Sequence, residues 1–476
     1  MPTPIARNSS VLLLENGPDA LAVRIAMATA AKQSLDLQYY LWHHDSAGCL
    51  LAYHVLAAAD RGVRVRLLLD DVDTGGMDEI LAAFNAHPYI SVRLFNPFRN
   101  RWLRPLEILT RFRELNRRMH NKAMCCDRRV CVVGGRNIGS AYFGLSAWER
   151  ENDAANTETP AFDDIDLLAS GAAADDTSAL FDQYWECPLS VASHTLFGTA
   201  AGRVLPDTLR RTLANVAERT TGAMASLRAS PTEPLTDWLV RCVPAELRLL
   251  ADPPDKSWTR RKRKFTLASQ LGRALDAATR EVWIVSPYFV PRRGVQEQLG
   301  GLRRRGVSVH VLTNSQASND VLAVHAGYAP KRRGLLRAGV ELREFQPNAA
   351  QLRASGKAKI HFSPSHGRSS LHAKIYIIDR QRCFIGSFNL DPRSARLNTE
   401  MGFMVDCPQI ANLAIKYAES LASTAYRLSL ESPETPLSPI LWSSPNDQQY
   451  TRDPHTGWAA RMLVRLLAFF PIEAQL

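Results

Sequence analysis

HNKAMCCDRRVCVVGGRN (residues 120–137) and HAKIYIIDRQRCFIGSFN (372–389) align without a gap at an offset of 252. His, Lys, Asp, Arg, Cys, Gly and Asn coincide. The register extends upstream: RGVRVRLLLD (61–70) pairs with RGVSVHVLTN (305–314) at an offset of 244, and VRLFNP (92–97) with LREFQP (342–347) at 250. Three blocks in one order at nearly one spacing imply a unit written twice.

Each copy reads the same way. A β-rich run (SLDLQYYLW, 34–42; EVWIVSPYFV, 281–290) precedes a helical pattern (LLAYHVLAAADRG; VQEQLGGLRRRG). An apolar strand follows, then a further helix and strand, then the His-x-Lys strand pair. Strands alternating with helices predict an α/β class. The expectation is two similar lobes, each a mostly parallel sheet flanked by helices, related by a pseudo-twofold with a shared central active site. The expected boundaries are 1–187 for the first lobe and 246–476 for the second lobe with its tail. Residues 188–245 have no counterpart and are expected to form a helical connector that is also a candidate membrane face.

Apolar β-formers follow each His-x-Lys, which places the motif on a strand. Alternate residues of a strand share a face. His120 and Lys122 then project together, as do His372 and Lys374. Asp127-Arg128 and Asp379-Arg380 read as the turn into the next strand. Although Asp127 and Asp379 belong to the motif's letters and are counted among its catalytic residues, that position suits a structural role. The next strand ends at Gly134-Gly135 or Gly386-Ser387, where small residues would let a substrate approach the backbone. Asn137 and Asn389 follow as amide donors.

One such set is a weak site, and two sets around one cavity form a strong one. Two imidazoles, two ammonium groups and two amides suit a phosphodiester. Lys122, Lys374, Asn137 and Asn389 would hold the non-bridging oxygens. One imidazole can attack phosphorus while the other moves protons to and from the alcohols. The design requires no metal and no cofactor. Each imidazole needs an orienting carboxylate. The candidates are Asp164 or Asp166 in AFDDIDLLASG (161–171) and Glu400 in RLNTEMGF (396–403). An acidic turn at Asp163, Asp164 and Asp166 is the alternative.

The duplicated HxKxxxxD pattern, with its GGRN and GSFN continuations, resembles the phospholipase D superfamily. LDLQYYLW (35–42), SPYFVP (286–291), LTNS (312–315), HAGYAPKRRGLLRAGVEL (325–342) and FFPIEAQL (469–476) are similar to the bacterial cardiolipin synthases, C-type branch. The resemblance spans nearly the whole chain. It implies a metal-independent phosphatidyltransferase working through a phosphatidyl-histidine. His120 would be the nucleophile and His372 the general acid/base, with Asp164 and Glu400 orienting the imidazoles. The implied substrates are phosphatidylglycerol and, as an admissible donor, phosphatidylethanolamine. An accessory protein is left open, and no nucleic acid partner is expected. The implied location is peripheral, on the cytoplasmic side of the bacterial inner membrane.

Bulk properties fit this without choosing it. The chain has 476 residues and a net charge of +11, which favours anionic partners such as lipid surfaces or nucleic acid. Its hydrophobic content of 46% excludes a disordered chain. No run of about 18 apolar residues predicts a transmembrane helix, and the N-terminal VLLL is too short for a signal peptide. The eight cysteines show no CxxC pairing and read as reduced, buried thiols. Candidate membrane contacts are GWAARMLVRLLAFFPIEAQL (457–476), the 193–229 stretch and TRRKRK (259–264). The rival activities are a hydrolase releasing phosphatidic acid and a metal-independent nuclease. A catalytically dead membrane scaffold is the rival without activity.

Overall fold

The computed structural model describes residues 7–152, 161–197, 207–227, 229–258, 265–347 and 369–469. In chain order the first strands are β1 (Arg7–Leu14), β2 (Ser34–Tyr39), β3 (Arg64–Asp70), β4 (Ile90–Phe95), β5 (Ala123–Cys126), β6 (Val130–Gly134), β7 (Ala161–Asp163), β8 (Asp166–Gly171), β9 (Ser190–Ala192) and β10 (Val243–Ala251). They continue as β11 (Glu281–Val285), β12 (Ser308–Asn314), β13 (Glu341–Phe345), β14 (Ser369–Leu371), β15 (Ile375–Ile378), β16 (Arg382–Gly386), β17 (Met401–Asp406), β18 (Tyr426–Leu430), β19 (Ile440–Ser443) and β20 (Gln449–Tyr450).

The chain divides into two compact units. The first holds Met1–Glu149, Ile165–Leu267 and Leu397–Met404. The second holds Arg150–Asp164, Ala268–Arg396 and Val405–Leu476. This differs from boundaries at 187 and 246. The described residues of 188–245 fall in the first unit, where β10, which starts at Val243, pairs with β1 (Val11 opposite Val243). Each unit also takes a short segment from the other half of the sequence. Those segments carry Asp164 and Glu400.

The first unit's sheet runs β10-β1-β8-β6-β5-β2-β3-β4-β9. The second runs β16-β15-β11-β12-β13-β18-β19-β20. In each, three parallel strands (β2-β3-β4; β11-β12-β13) form the centre and antiparallel strands flank them. The sheets are therefore mixed rather than mostly parallel. The central strands follow one another through helical crossovers, as parallel pairing requires, while β5–β6 and β15–β16 are hairpins, which force antiparallel pairing.

The repeated Arg-Gly-Val has a local cause. The helix Ser46–Asp60 ends at Gly62 with φ 89°, and Arg293–Arg304 is followed by Gly306 with φ 85°. In each case the next N–H closes back on the helix, Val63 to the Ala58 carbonyl (3.2 Å) and Val307 to Leu302 (3.1 Å). This left-handed cap stops the helix and aims the chain into the next central strand.

The alternation in SLDLQY suggests one wet face, yet all six residues are buried. The helix Ala172–Glu186 covers the second face of the first sheet. Arg66 pairs there with both Asp36 (2.6 Å) and Asp182 (2.8 Å). A buried carboxylate is tolerated because it is bidentately paired.

The helix Asp207–Ser226 in the 193–229 stretch packs on Ser46–Asp60 and buries Leu213, Ala217 and Met224, so its apolar face belongs to the core. In the C-terminal stretch, Trp458–Ala468 buries Val464 and packs on Leu322–Tyr328. Trp458, Met462, Leu466 and Phe469 remain exposed. TRRKRK and residues 470–476 lie outside the described residues. Among the described residues no helix is long and apolar enough to cross a membrane.

Candidate active site

His120 and Lys122 lie in the extended stretch that leads into β5. The stretch is held from two sides within the first unit. Met119 N–H donates to Asp70 at the end of β3 (2.8 Å), and His120 N–H donates to the Thr399 carbonyl (2.9 Å). Thr399 N–H returns to the Arg118 carbonyl (2.9 Å), which makes a parallel bridge between residues 119 and 399. The bridge delivers Glu400, whose Oε2 lies 2.8 Å from His120 Nδ1.

Glu400 is itself anchored. Its carbonyl accepts from Asp252 N–H (2.9 Å), and its N–H donates to Asp252 Oδ2 (3.3 Å). Lys256 donates to the same oxygen at 2.7 Å. Burial pushes the Asp252 carboxyl above its ordinary range, with the Lys256 ammonium opposing.

The second unit repeats this construction. The β7 segment pairs in parallel with β14, and Asp163 O accepts from His372 N–H (2.8 Å) and Ala373 N–H (2.9 Å). Asp164 follows, with Oδ2 at 2.5 Å from His372 Nδ1. Tyr417 OH donates to the Asp164 carbonyl at 3.4 Å. At the end of β12, Asn314 brackets Leu371: Oδ1 accepts from its N–H (3.0 Å) and Nδ2 donates to its carbonyl (2.9 Å).

A carboxylate can only accept, so each Nδ1 carries the proton and Nε2 is the nitrogen that can act on a substrate. Both imidazoles are 8% exposed, and their carboxylates are fully buried. Each Lys turns back on its motif. Lys122 donates to the His120 carbonyl at 2.7 Å and lies over the Tyr40 ring at 5.1 Å. Lys374 donates to the His372 carbonyl and sits against the ring, 2.9 Å from Nδ1 and 3.2 Å from Nε2. Tyr40 meets His120 edge-on at 4.9 Å between centroids, and Phe162 meets His372 at 5.2 Å. Each unit thus carries an oriented imidazole and a buried cation. That combination can attack or protonate at a phosphodiester while neutralising its oxygens.

Other predicted residues are placed differently. Asp166 turns away to Arg24 (2.9 Å) and to Arg136 N–H (3.2 Å), so the orienting carboxylate is Asp164. Asp127 and Asp379 sit at the hairpin turns with φ 51° and 54°, five residues beyond Lys122 and Lys374, or ~16 Å along a strand. Asp127 accepts from Lys32, Gln33 and Ser34 N–H at 2.8–3.0 Å. Asp379 accepts from Thr279, Arg280 and Glu281 N–H at 2.7–3.2 Å. They lock the turn to the strand that opens each repeat and do not touch the imidazoles.

Asn137 is buried, with Oδ1 accepting from Leu41 N–H (3.3 Å) and Nδ2 donating to Tyr142 OH (3.0 Å). Asn389 is also buried. Gly134 is small for packing rather than for substrate approach, since a Cβ there would lie 2.0 Å from Asp166 Oδ1.

Asp70, Asn314 and Asp252 are missing from the sequence reading. Asp70 and Asn314 close the aligned blocks RGVRVRLLLD and RGVSVHVLTN, so the repeat itself carried that signal.

The family model described as "Cardiolipin synthase, PLD-like domain" matches this chain twice, over residues 25–166 and 271–422. The chain belongs to the cardiolipin synthase family of phospholipase D-like proteins. Within it, this member is 41% identical over 472 residues to cardiolipin synthase C of Escherichia coli K12, covering 97% of this chain and 94% of that protein. It is 25% identical to a cardiolipin synthase of Geobacillus kaustophilus, over 84% of this chain and 63% of the other. The fold is similar to that of phosphatidylserine synthase from Haemophilus influenzae, with a TM-score of 0.58 at 14% identity, covering 88% and 87% of the two chains. This family member is accordingly read as a phosphatidyltransferase.

Proposed function

We propose that the protein is a cardiolipin synthase that moves a phosphatidyl group from one phospholipid to the glycerol hydroxyl of a phosphatidylglycerol. The observation that carries the reading is a pair of intact His–Lys–carboxylate sets, His120–Lys122–Glu400 and His372–Lys374–Asp164, in a chain of this family. One competent set would serve a half-reaction. Two fit a double displacement, in which one imidazole bonds to phosphorus and the other handles protons.

His120 Nε2 attacks the phosphorus of a donor phosphatidylglycerol. The bond to the headgroup oxygen breaks, and glycerol leaves with a proton from His372. The acceptor's glycerol hydroxyl then gives a proton to His372 and attacks the phosphatidyl-histidine. The P–N bond breaks and cardiolipin forms. Phosphatidylethanolamine as donor would release ethanolamine by the same steps. Glu400 and Asp164 fix the tautomers and stabilise each imidazole when charged. Lys122 and Lys374 offset charge on the non-bridging oxygens, with Asn137 and Asn389 assigned to the same phosphate. The lipid substrates imply work at a membrane surface, with Trp458, Met462, Leu466 and Phe469 as one candidate contact.

The test is product analysis by mass spectrometry. Membranes carrying the protein or its His120→Ala form receive headgroup-labelled phosphatidylglycerol, with and without phosphatidylethanolamine. The expected result is cardiolipin only with His120 intact. Phosphatidic acid alone would make the protein a hydrolase.

A further inference from the structure

The helix Arg104–Leu115 is built inside out. Its Glu107 is 8% exposed, while Leu106, Ile108, Leu109 and Phe112 face solvent, Leu109 at 79%. Immediately before it, Trp102 is 95% exposed and Leu103 also faces solvent. An ordinary surface helix puts its apolar stripe on the core and its charges outward. This arrangement is held in place. Glu107 accepts from Arg99 N–H (3.1 Å) and Asn100 N–H (2.9 Å). Asn100 Oδ1 accepts from Trp102 N–H (3.1 Å) and Leu103 N–H (2.9 Å). Arg101 is tied to Asp71 and Asp78. The polar groups that a solvated helix would show are spent inward, fixing a turn that displays a Trp and a row of aliphatic side chains.

The charge around this apolar ridge selects the partner. Residues 99–118 contain seven Arg against two Glu, with Arg99 and Arg113 exposed beside the ridge. Tryptophan, aliphatic side chains and arginines on one turn and the short helix after it match the boundary layer of an anionic bilayer, where indole rings concentrate and cations meet headgroups. We propose that Trp102, Leu103, Leu106, Leu109 and Phe112 dock the protein onto an anionic phospholipid surface, with the helix lying in the plane of the interface. The helix ends five residues before His120, in the same compact unit, so docking would hold that imidazole close to the headgroup layer. The choice of a lipid surface rests on the phospholipid-transferase reading above.

The experiment uses the full chain and vesicles of phosphatidylglycerol and phosphatidylethanolamine doped with brominated acyl chains, which quench tryptophans that enter the interface. Wild type should be quenched, and Trp102→Phe should lose most of that quench. A Leu106→Ser/Leu109→Ser/Phe112→Ser variant should bind these vesicles about ten-fold or more weakly. Its turnover of detergent-dispersed phosphatidylglycerol should stay within about two-fold, because none of these side chains touches the two imidazole sets. An unchanged quench in Trp102→Phe, or vesicle binding unaffected by the triple change, overturns the proposal. So does a dimer in solution that the triple change dissociates, which would make the ridge a contact between copies. If no lipid is turned over in any form but Trp102 is still quenched, the reaction assignment falls and the docking surface stands.

Discussion

The stretches before His120 and His372 are built to one plan with different parts. In the first unit the end of β3 offers Asp70, a charged acceptor for Met119 N–H that is also met by Arg118 (3.3 Å). In the second unit the end of β12 offers Asn314, a neutral amide that both accepts from and donates to Leu371. The orienting carboxylate is Glu400 at 2.8 Å in one and the shorter Asp164 at 2.5 Å in the other. The ring against the imidazole is Tyr40 in one and Phe162 in the other. Duplication has preserved the hydrogen-bond geometry while the charge around it has diverged. A nucleophile and a proton carrier need different electrostatics, so this asymmetry supports assigning the two histidines different roles.

The largest effect that would break the comparison is loss of an imidazole. His120→Ala and His372→Ala should each lower turnover by at least about 10³-fold. They should differ in what accumulates. Mass spectrometry of protein quenched in alkaline detergent, where the P–N bond survives, should find a phosphatidyl adduct on His120 in the His372→Ala form, and none in His120→Ala. An adduct on His372 would reverse the roles.

The orienting carboxylates come next. Glu400→Gln and Asp164→Asn replace an obligate acceptor with an amide that can present a donor to Nδ1 and favour the wrong tautomer. Each should lower kcat about 10²- to 10³-fold with little change in KM, a loss of about 3–4 kcal/mol. Exchanging lengths, Glu400→Asp and Asp164→Glu, keeps the charge and should cost about ten-fold, since one methylene misplaces the carboxylate. Equal losses from the amide and length changes would mean that charge is not what these residues supply.

Much of this was legible in the sequence, and the gaps have physical causes. The repeat located both His-x-Lys stretches and the central strands, because period and turn chemistry are local properties. Where a strand ends up is not local. Asp164 and Asp166 are two residues apart, and the residues alone offer both, with the family resemblance favouring Asp164. What separates them is Arg24 and Arg136, buried guanidiniums that claim Asp166 from distant parts of the chain. Nothing in AFDDIDLLASG or RLNTEMGF announces that the chain crosses between compact units there. The apolar face of Asp207–Ser226 looks the same whether it meets lipid or the helix Ser46–Asp60.

Asp70 and Asn314 allow a measurement of the electrostatic difference itself. Burial pushes the Asp70 carboxyl from its ordinary 3.8 up to about 6, opposed by the Arg118 guanidinium and by the Met119 and Val72 N–H groups. A carboxyl whose folded pKa is raised favours the folded state only while it is protonated. That contribution is full below about pH 4 and is lost as pH rises through about 6. Asp70→Asn removes the titration. Its stability relative to wild type should therefore improve by up to about 3 kcal/mol between pH 4 and pH 7, read from urea midpoints across that range. Asn314→Asp should create the opposite slope in the second unit. A flat difference across this window would show that Asp70 stays ionised at little cost, and would remove this part of the asymmetry.

The smallest effect tests where the two halves should not differ at all. Asp127 and Asp379 occupy matching turns, each with a following Arg at φ 57°. Burial would raise both carboxyls, but the N–H groups of residues 32–34 and 279–281 outweigh it and hold them below the ordinary value. Stabilisation from a lowered carboxyl is present above the unfolded value of 3.8 and is lost as pH falls through the lower folded one. Asp127→Asn and Asp379→Asn keep a residue that tolerates positive φ and remove only the charge. Each should destabilise by about 1–2 kcal/mol between pH 5 and 8, and the deficit should close below about pH 4. Turnover per folded molecule should be unchanged in both. If either change lowers kcat at full folding, as measured by circular dichroism alongside the assay, its turn reaches the imidazole through β5 or β15. The motif's third letter would then be a positioning residue for catalysis in that half.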